Sequence, residues 1–237
     1  MTADTVAVLV AAGQGRRMGG MNKALLRLGG RPVLDYSLQT LRKSPSIGRI
    51  VLVMNPIDIQ RLADEWHTDP ASLGVDEVVA GGEERWLSSQ NGCLAAGTDL
   101  PYLLVHDAAR PLLQSSDLEA VLQAARKSGA ALAAEPLADT LKQSCSDTRV
   151  QSTVPREGLW RAQTPQVAKT DWMLKAFSSW DTQADGLPTD ESMMLENIGH
   201  PPELVPCQGP NFKITLPRDL LLAEALMRES MAVDFGS

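Results

Sequence analysis

Seven consecutive apolar residues, Val6 to Ala12, break off at Gly13-Gln14-Gly15 and are followed at once by Arg16 and Arg17. A run this apolar, and far too short to span a membrane, needs cover on both faces, as a central strand of a parallel sheet has. The glycines permit a tight turn that brings backbone N–H groups to a ligand, while Arg16, Arg17 and Lys23 add positive charge. Strand, glycine turn and clustered cations together predict a polyphosphate site. Two standard phosphate loops are excluded. A P-loop requires Gly-Lys-Ser/Thr, and Lys23 is followed by Ala24. A dinucleotide loop requires a third glycine three residues after the second, where Met18 stands.

The remainder of the chain sets the fold. Pro32 opens a helix over VLDYSLQTLRKS; strands are predicted at 50–54, 78–80, 102–106 and 130–135, with helices over 57–66 and 83–96. Ser116 and Glu119 have the spacing of a capping box for a helix to about Lys127. Strands alternating with helices predict an α/β fold, a mostly parallel twisted sheet with helices on both faces. From Pro136 to Pro165 the rhythm breaks into polar, β-prone sequence with turn residues at 144–147. We read this as a projecting β-hairpin arm, centred on about 136–160, that needs a partner surface, most simply a second copy of the chain. Helices return at 169–180 and at 190–197, the latter capped by Thr189. Short strands follow at 204–205 and 212–215, and Pro217 starts a last helix to about Met227. Residues 1–237 are read as a single domain carrying this arm.

A net charge of −7 argues against a nucleic-acid partner. Residues 1–31 nevertheless hold five Lys/Arg against one acid, Asp4, which suggests a focused anion site rather than a polyanion-binding face, the alternative being a chance cluster of solvated charges. Three distant cysteines, Cys93, Cys145 and Cys207, give neither a disulfide framework nor a zinc spacing, which with the non-basic N-terminus predicts a cytoplasmic protein away from membranes.

In an open parallel sheet the ligand lies beyond the carboxyl ends of the strands. Gly81-Gly82-Glu83-Glu84-Arg85, leading to Ser88 on the helix after it, falls there and could serve a base or ribose, or be a plain strand-to-helix turn. His106-Asp107-Ala108-Ala109-Arg110 follows a buried strand. Asp107 is suited to Mg²⁺, the alanines leave room for a ligand, Arg110 can neutralise phosphate, and His106 is read as structural. Arg156, Thr164 and Thr189 form a further polar group. Lys213, between Phe212 and Ile214, either points at a phosphate or guards a sheet edge.

Six motifs, AAGQGRRM, GGEER, LVHDAARP, GLWRAQTPQ, TDES and NFKIT, occur in this order. Together they resemble the 2-C-methyl-D-erythritol 4-phosphate cytidylyltransferase family over about residues 5–228, in a combination more discriminating than any one of them. The resemblance implies a Rossmann-like nucleotidyltransferase that dimerises through a β-arm and transfers CMP from CTP to methylerythritol phosphate with Mg²⁺. It also implies roles. Arg17, Lys23 and Lys213 would be the catalytic cations. Ala11, Ala12, Gly13, Gly15, Gly82, Glu83, Ser88 and Ala108 would line the CTP site. Arg110, Thr140, Arg156, Thr164 and Thr189 would hold the acceptor, with Thr140 and Arg156 delivered by the other subunit's arm, and Asp107 would serve both metal and substrate. The sequence departs from the family where Pro-Lys-Gln is usual: here it reads Asn22-Lys23-Ala24, and loss of the proline predicts a looser loop end. Glu83, where Asp is common, is a milder change. Alternatives are a cytidylyltransferase for another polyol phosphate, such as ribitol 5-phosphate, and a non-catalytic nucleotide-binding module.

Overall fold

The computed structural model describes residues 3–13, 21–66, 70–145 and 148–234. Strand β1 (Thr5–Val10) is followed by a 3-10 turn (Lys23–Leu25), a two-residue ladder of β2 (Arg27–Leu28) and β3 (Arg31–Pro32), and helix α1 (Val33–Lys43). Next come β4 (Ile47–Met54), α2 (Pro56–Trp66), β5 (Glu77–Ala80), α3 (Arg85–Ala96), β6 (Tyr102–Asp107), α4 (Ser115–Ser128) and β7 (Ala130–Pro136). A hairpin, β8 (Leu141–Ser144) and β9 (Val150–Val154), leads to β10 (Trp160–Lys169), α5 (Thr170–Ser179), α6 (Glu191–Asn197), β11 (Glu203–Pro206) and α7 (Pro217–Asp234).

Seven strands form one sheet in the order β11-β7-β10-β6-β1-β4-β5. Every pairing is parallel except those of β10, which runs antiparallel between β6 and β7. All six residues of β1 are buried, as its apolar run requires. Alternate residues serve opposite faces. Ala7, Leu9 and Ala11 pack with Leu34 and Leu38 of α1, Leu62 of α2 and Leu118 and Leu122 of α4. Val6, Val8 and Val10 pack with Cys93 of α3, Met173 and Phe177 of α5 and Met194 and Leu195 of α6. The chain steps outward from β1 to β4 and β5, then returns to β6 on the other side of β1. That reversal opens a crevice at the carboxyl ends of β1 and β6.

Four local expectations are corrected. Trp160–Lys169 is not part of the arm but a strand of the main sheet, with its register shifting between Ala162 and Gln166. Gln166 is satisfied inward, accepting from the Ser192 amide and donating to Asp190. The Ser116–Glu119 capping box does not form: Gln114 precedes the helix without a side-chain cap, and Glu119 accepts from Ser44 and Ser46 instead. Asp190, not Thr189, caps α6 by accepting from the Met193 amide. Residues 212–215 make no strand. Pro210 has no N–H to give a ladder, and the segment attaches through the Ile214 amide, which donates to the Ala109 carbonyl at 2.8 Å.

Gly92 lets α3 lie directly on the sheet. A Cβ there would stand 2.3 Å from a methyl of Val8 and 2.6 Å from one of Val53. Alanine would gain about 1 kcal/mol of helix propensity, but both neighbours are stiff, β-branched and in central strands. Crowding therefore wins, and Gly92→Ala is expected to lose roughly 1–2 kcal/mol of stability in urea unfolding; a more stable variant would contradict this packing.

Candidate active site

The crevice holds a cleft of about 300 Å³, lined among others by Ala11, Ala12, Gly13, Asn22, Lys23, Gly82, Glu83, Arg85, Ser88, Asp107 and Lys213. Gly15 and Arg17 lie outside the described residues. Carbonyls at the start of the first loop are held by side chains: Asn55 Nδ2 donates to Ala12 O at 2.8 Å and Asn22 Nδ2 to Ala11 O at 2.6 Å. Where loss of proline predicted a looser end, Asn22 is buried and also caps the Lys23–Leu25 turn by accepting from the Ala24 amide.

The second wall is the turn from β5 into α3. A Cβ on Gly82 would come within 2.4 Å of the Leu87 Cβ, so glycine is required for the approach. The amides of both glycines are used internally, Gly81 N donating to Met54 O and Gly82 N to Ser88 Oγ. Ser88 thus fastens the turn while lining the cleft.

Asp107, the last residue of β6, organises the floor. Its Oδ2 accepts from Lys213 Nζ at 2.8 Å and its Oδ1 from Arg85 Nε at 2.9 Å, while Arg110 Nε stands 3.8 Å from Oδ2. Burial would push this carboxyl up, but the nearby charges of Arg85, Lys213 and Arg110 outweigh it and hold the group well below the usual carboxylate range. Arg85 extends the network with a two-pronged contact to Glu191, at 2.8 and 3.0 Å. Glu191 is 0 % exposed, and this two-pronged contact satisfies both of its oxygens. Burial opposes the charge on Arg85, yet Asp107 and Glu191 raise its pKa above the ordinary arginine value.

Neither Arg85 nor Glu191 is given a role by the sequence, although both lie in its motifs, GGEER and TDES. An acid directly after a helix cap and an arginine opening a helix after two glycines were the available signals.

Lys213 is aimed from an irregular segment pinned on both sides. Arg110 Nη1 donates to Asn211 O, and Asn211 Nδ2 to Thr164 O, both at 2.8 Å. Ile214 is buried with Leu28, Val33 and Ala223, and Asp219 accepts from the Thr215 and Leu216 amides. Thr164 stands behind Asp107 rather than in the cleft, accepting from the Asp107 amide and meeting His106 Nδ1, each at 3.0 Å. The Arg110 carbonyl, 3.4 Å from Nε2, can only accept, so in the neutral ring Nε2 carries the hydrogen and the Thr164 hydroxyl donates to Nδ1. Burial lowers the His106 pKa to about 4, so the ring is neutral and structural. Ala108 is fully buried, with its amide on Val10 O, and Ala109 is the alanine that reaches the cleft. Arg110 is mostly buried beside the floor. Thr189 is exposed outside the lining residues. Thr140 and Arg156 lie at the base of the arm, exposed and outside this chain's cleft, with Arg156 donating to Ala138 O.

Fold and site together define a Rossmann-like α/β protein whose switch-point cleft gathers fixed cations around one carboxylate. The sequence profile of 2-C-methyl-D-erythritol 4-phosphate cytidylyltransferase (IspD) matches residues 5–229, and the chain belongs to that family. It is 40% identical over 223 residues to the enzyme of that name from Dehalococcoides mccartyi, covering 94% of this chain and 96% of the relative. The Pelotomaculum thermopropionicum enzyme is 40% identical over 228 residues, covering 94% and 93%. The crystal structure of the Thermus thermophilus enzyme superposes with a TM-score of 0.75 at 32% identity, covering 93% of this chain and 98% of that one.

Because the Asp107 pKa is lower in the folded chain than in the unfolded one, its ionised form stabilises the fold above the usual carboxylate range. That contribution disappears as pH falls through the folded value. Asp107→Asn is therefore expected to cost stability at pH 7, with the gap from wild type narrowing as pH falls below the usual carboxylate range in urea unfolding. A gap independent of pH would detach Asp107 from its cations.

Proposed function

We propose that this chain transfers CMP from CTP to 2-C-methyl-D-erythritol 4-phosphate, releasing pyrophosphate. The observation that carries this reading is the meeting of Lys213 and Asp107 inside a cleft also lined by Lys23 and the first glycine loop. Family membership supplies the choice of base and acceptor.

The acceptor's phosphate oxygen attacks the α-phosphorus of CTP. A phosphate monoester has a second pKa of about 6, so it is already largely a dianion at neutral pH and needs no general base. This agrees with a site whose histidine is buried and neutral. The chemistry requires two anions to be held together and charge on five-coordinate phosphorus to be stabilised. Lys23 and Arg17 serve the triphosphate, and Lys213 serves the reacting phosphate. Ala11, Ala12, Gly13, Gly15, Gly82, Glu83, Ser88 and Ala108 form the CTP site, some of them as supports behind it. Arg110 and Thr189 belong to the acceptor side, and Thr164 supports the site from behind Asp107.

The donor set suits Mg²⁺ as a bound partner of substrate. Mg²⁺ is usually held by one or two carboxylates together with substrate phosphates and water, and among the described residues no cluster of three acidic, histidine or cysteine ligands forms a metal cage. A carboxylate has about four acceptor sites, so the bonds from Arg85 and Lys213 leave Asp107 able to ligate. Bound there, Mg²⁺ would supply charge neutralisation for the triphosphate.

In the assay, purified protein with Mg²⁺ is expected to release pyrophosphate with CTP and methylerythritol phosphate. UTP, ATP, GTP and ribitol 5-phosphate are expected to be poor substitutes. Turnover with ribitol phosphate instead would move the acceptor, and silence with every pair would end the enzyme reading. Lys213→Ala is expected to cut turnover roughly 10²–10³-fold, as loss of one oxyanion donor does.

The working unit we propose is a cytoplasmic homodimer joined by the arm. Support comes from the arm's weak self-cover: Val150 and, where the arm returns to the sheet, Leu159 are exposed. Among the described residues no helix is long and apolar enough to cross a membrane. If Thr140 and Arg156 reach the partner's cleft, mixing inactive Arg156→Ala and Lys213→Ala chains rebuilds one intact site per mixed dimer. Activity above that of either variant is expected after subunit exchange; none would place Arg156 in its own chain's chemistry or outside it.

A further inference from the structure

Asn22, immediately before Lys23, has a backbone φ of −67°. A proline ring would lock that value; asparagine adopts it as one of several allowed values, and outside bonds hold it there. Three such bonds run from its side chain. Nδ2 donates to Ala11 O at 2.6 Å and to Asp58 Oδ2 at 2.8 Å, and Oδ1 accepts from the Ala24 amide at 3.0 Å. The amide cannot turn over without facing its oxygen towards two acceptors.

Asp58 is the unusual member. It is the third residue of α2 and 4 % exposed, so a cap on the helix's own amides is the ordinary expectation. Its Oδ2 instead serves a side chain 36 residues earlier, while Oδ1 faces Arg61 Nη1 at 3.6 Å. One carboxylate thereby ties α2 to the loop after β1 and to the turn that carries Lys23.

We propose that Asp58 is a positioning residue for nucleotidyl transfer: through Asn22 it fixes the start of the Lys23–Leu25 turn, and so the direction from which Lys23 enters the cleft. This rests on the reading that Lys23 meets the triphosphate. Asp58 touches no substrate. Its role is to hold the lysine in place before CTP arrives, which removes an ordering cost from binding and from the transition state.

The experiment is steady-state pyrophosphate release. Asp58→Ala is expected to lower kcat/KM for CTP by about 10- to 100-fold, the span of one buried hydrogen bond to a charged group, with KM for the acceptor unchanged. Asp58→Asn keeps an oxygen that accepts from Asn22 and is expected to retain most activity. In a Lys23→Ala background, Asp58→Ala is expected to add no further loss, a result that a general weakening of the fold would not give. Should Asp58→Ala fail to fold, a reciprocal pair decides. Asn22→Asp sets carboxylate against carboxylate and loses activity, and adding Asp58→Asn restores the bond with reversed polarity and recovers part of it. Wild-type kcat/KM for CTP in Asp58→Ala, an undiminished further loss without Lys23, or a swap no better than Asn22→Asp would overturn the proposal. An inactive wild-type protein would instead remove the cytidylyltransferase reading beneath it.

Discussion

The carboxylate of Asp107, held between Arg85 and Lys213, is the contact on which the rest of the site depends. It sits at the carboxyl end of β6, beside β1, where the strand order reverses. A buried carboxylate alone would be protonated or expelled. Here three cations surround it, and Glu191 behind Arg85 supplies the counter-charge that lets the arginine be buried as well. Such networks add little net stability over an apolar core, because desolvating the ions offsets their attraction. Their value lies in geometry. Bidentate Arg85–Glu191 pairing fixes a guanidinium plane, that plane fixes Asp107, and Asp107 fixes where the Lys213 ammonium rests.

Much of this frame was legible because it is written in apolar runs. The buried strands β1, β4, β6 and β7 and their companion helices follow from uninterrupted Val, Ile, Leu and Ala. β10 was not legible, since Gln163-Thr164-Pro165 looks like loop until Thr164 is seen accepting from Asp107 and Gln166 bonding across to α6. Polar residues satisfied by tertiary partners carry no mark in the sequence that sets them apart from solvated ones. The cap on α6 was misplaced by one residue for a related reason: Thr189 and Asp190 are both good caps, and only the fold decides which oxygen meets the Met193 amide. Lys23, Asp107 and Lys213 were legible as candidates because charge beside apolar sequence is rare. Arg85 and Glu191 were hidden by their separation, since each is explained only by the other, 106 residues away.

Arg85, Lys23 and Lys213 reach the cleft from different kinds of structure. Arg85 belongs to the first turn of α3, which Gly92 lets lie against the sheet. Lys23 and Lys213 come from segments with no strand pairing, where flexibility would be the default. Each is restrained by side chains on both flanks. For Lys23 these are Asn22 before it and the buried Ala24 and Leu25 after it; for Lys213 they are Asn211 before it and Ile214, with the Asp219 cap, after it.

That arrangement fits the chemistry of joining two anions. Each approaching phosphate brings charge that repels the other, and a flexible lysine would have to be ordered during the same event that it is meant to assist. Cations fixed beforehand make that reorganisation unnecessary at the transition state, where it would subtract directly from rate. Among the described residues the site offers little acid–base machinery and much scaffolding. His106 is neutral and holds a turn, the asparagines hold backbone carbonyls, and buried acids hold arginines and an asparagine in line. What distinguishes this site from a plain anion pocket is where the restraint falls: on the approach of Lys23 and Lys213 to one cleft, from opposite ends of the chain.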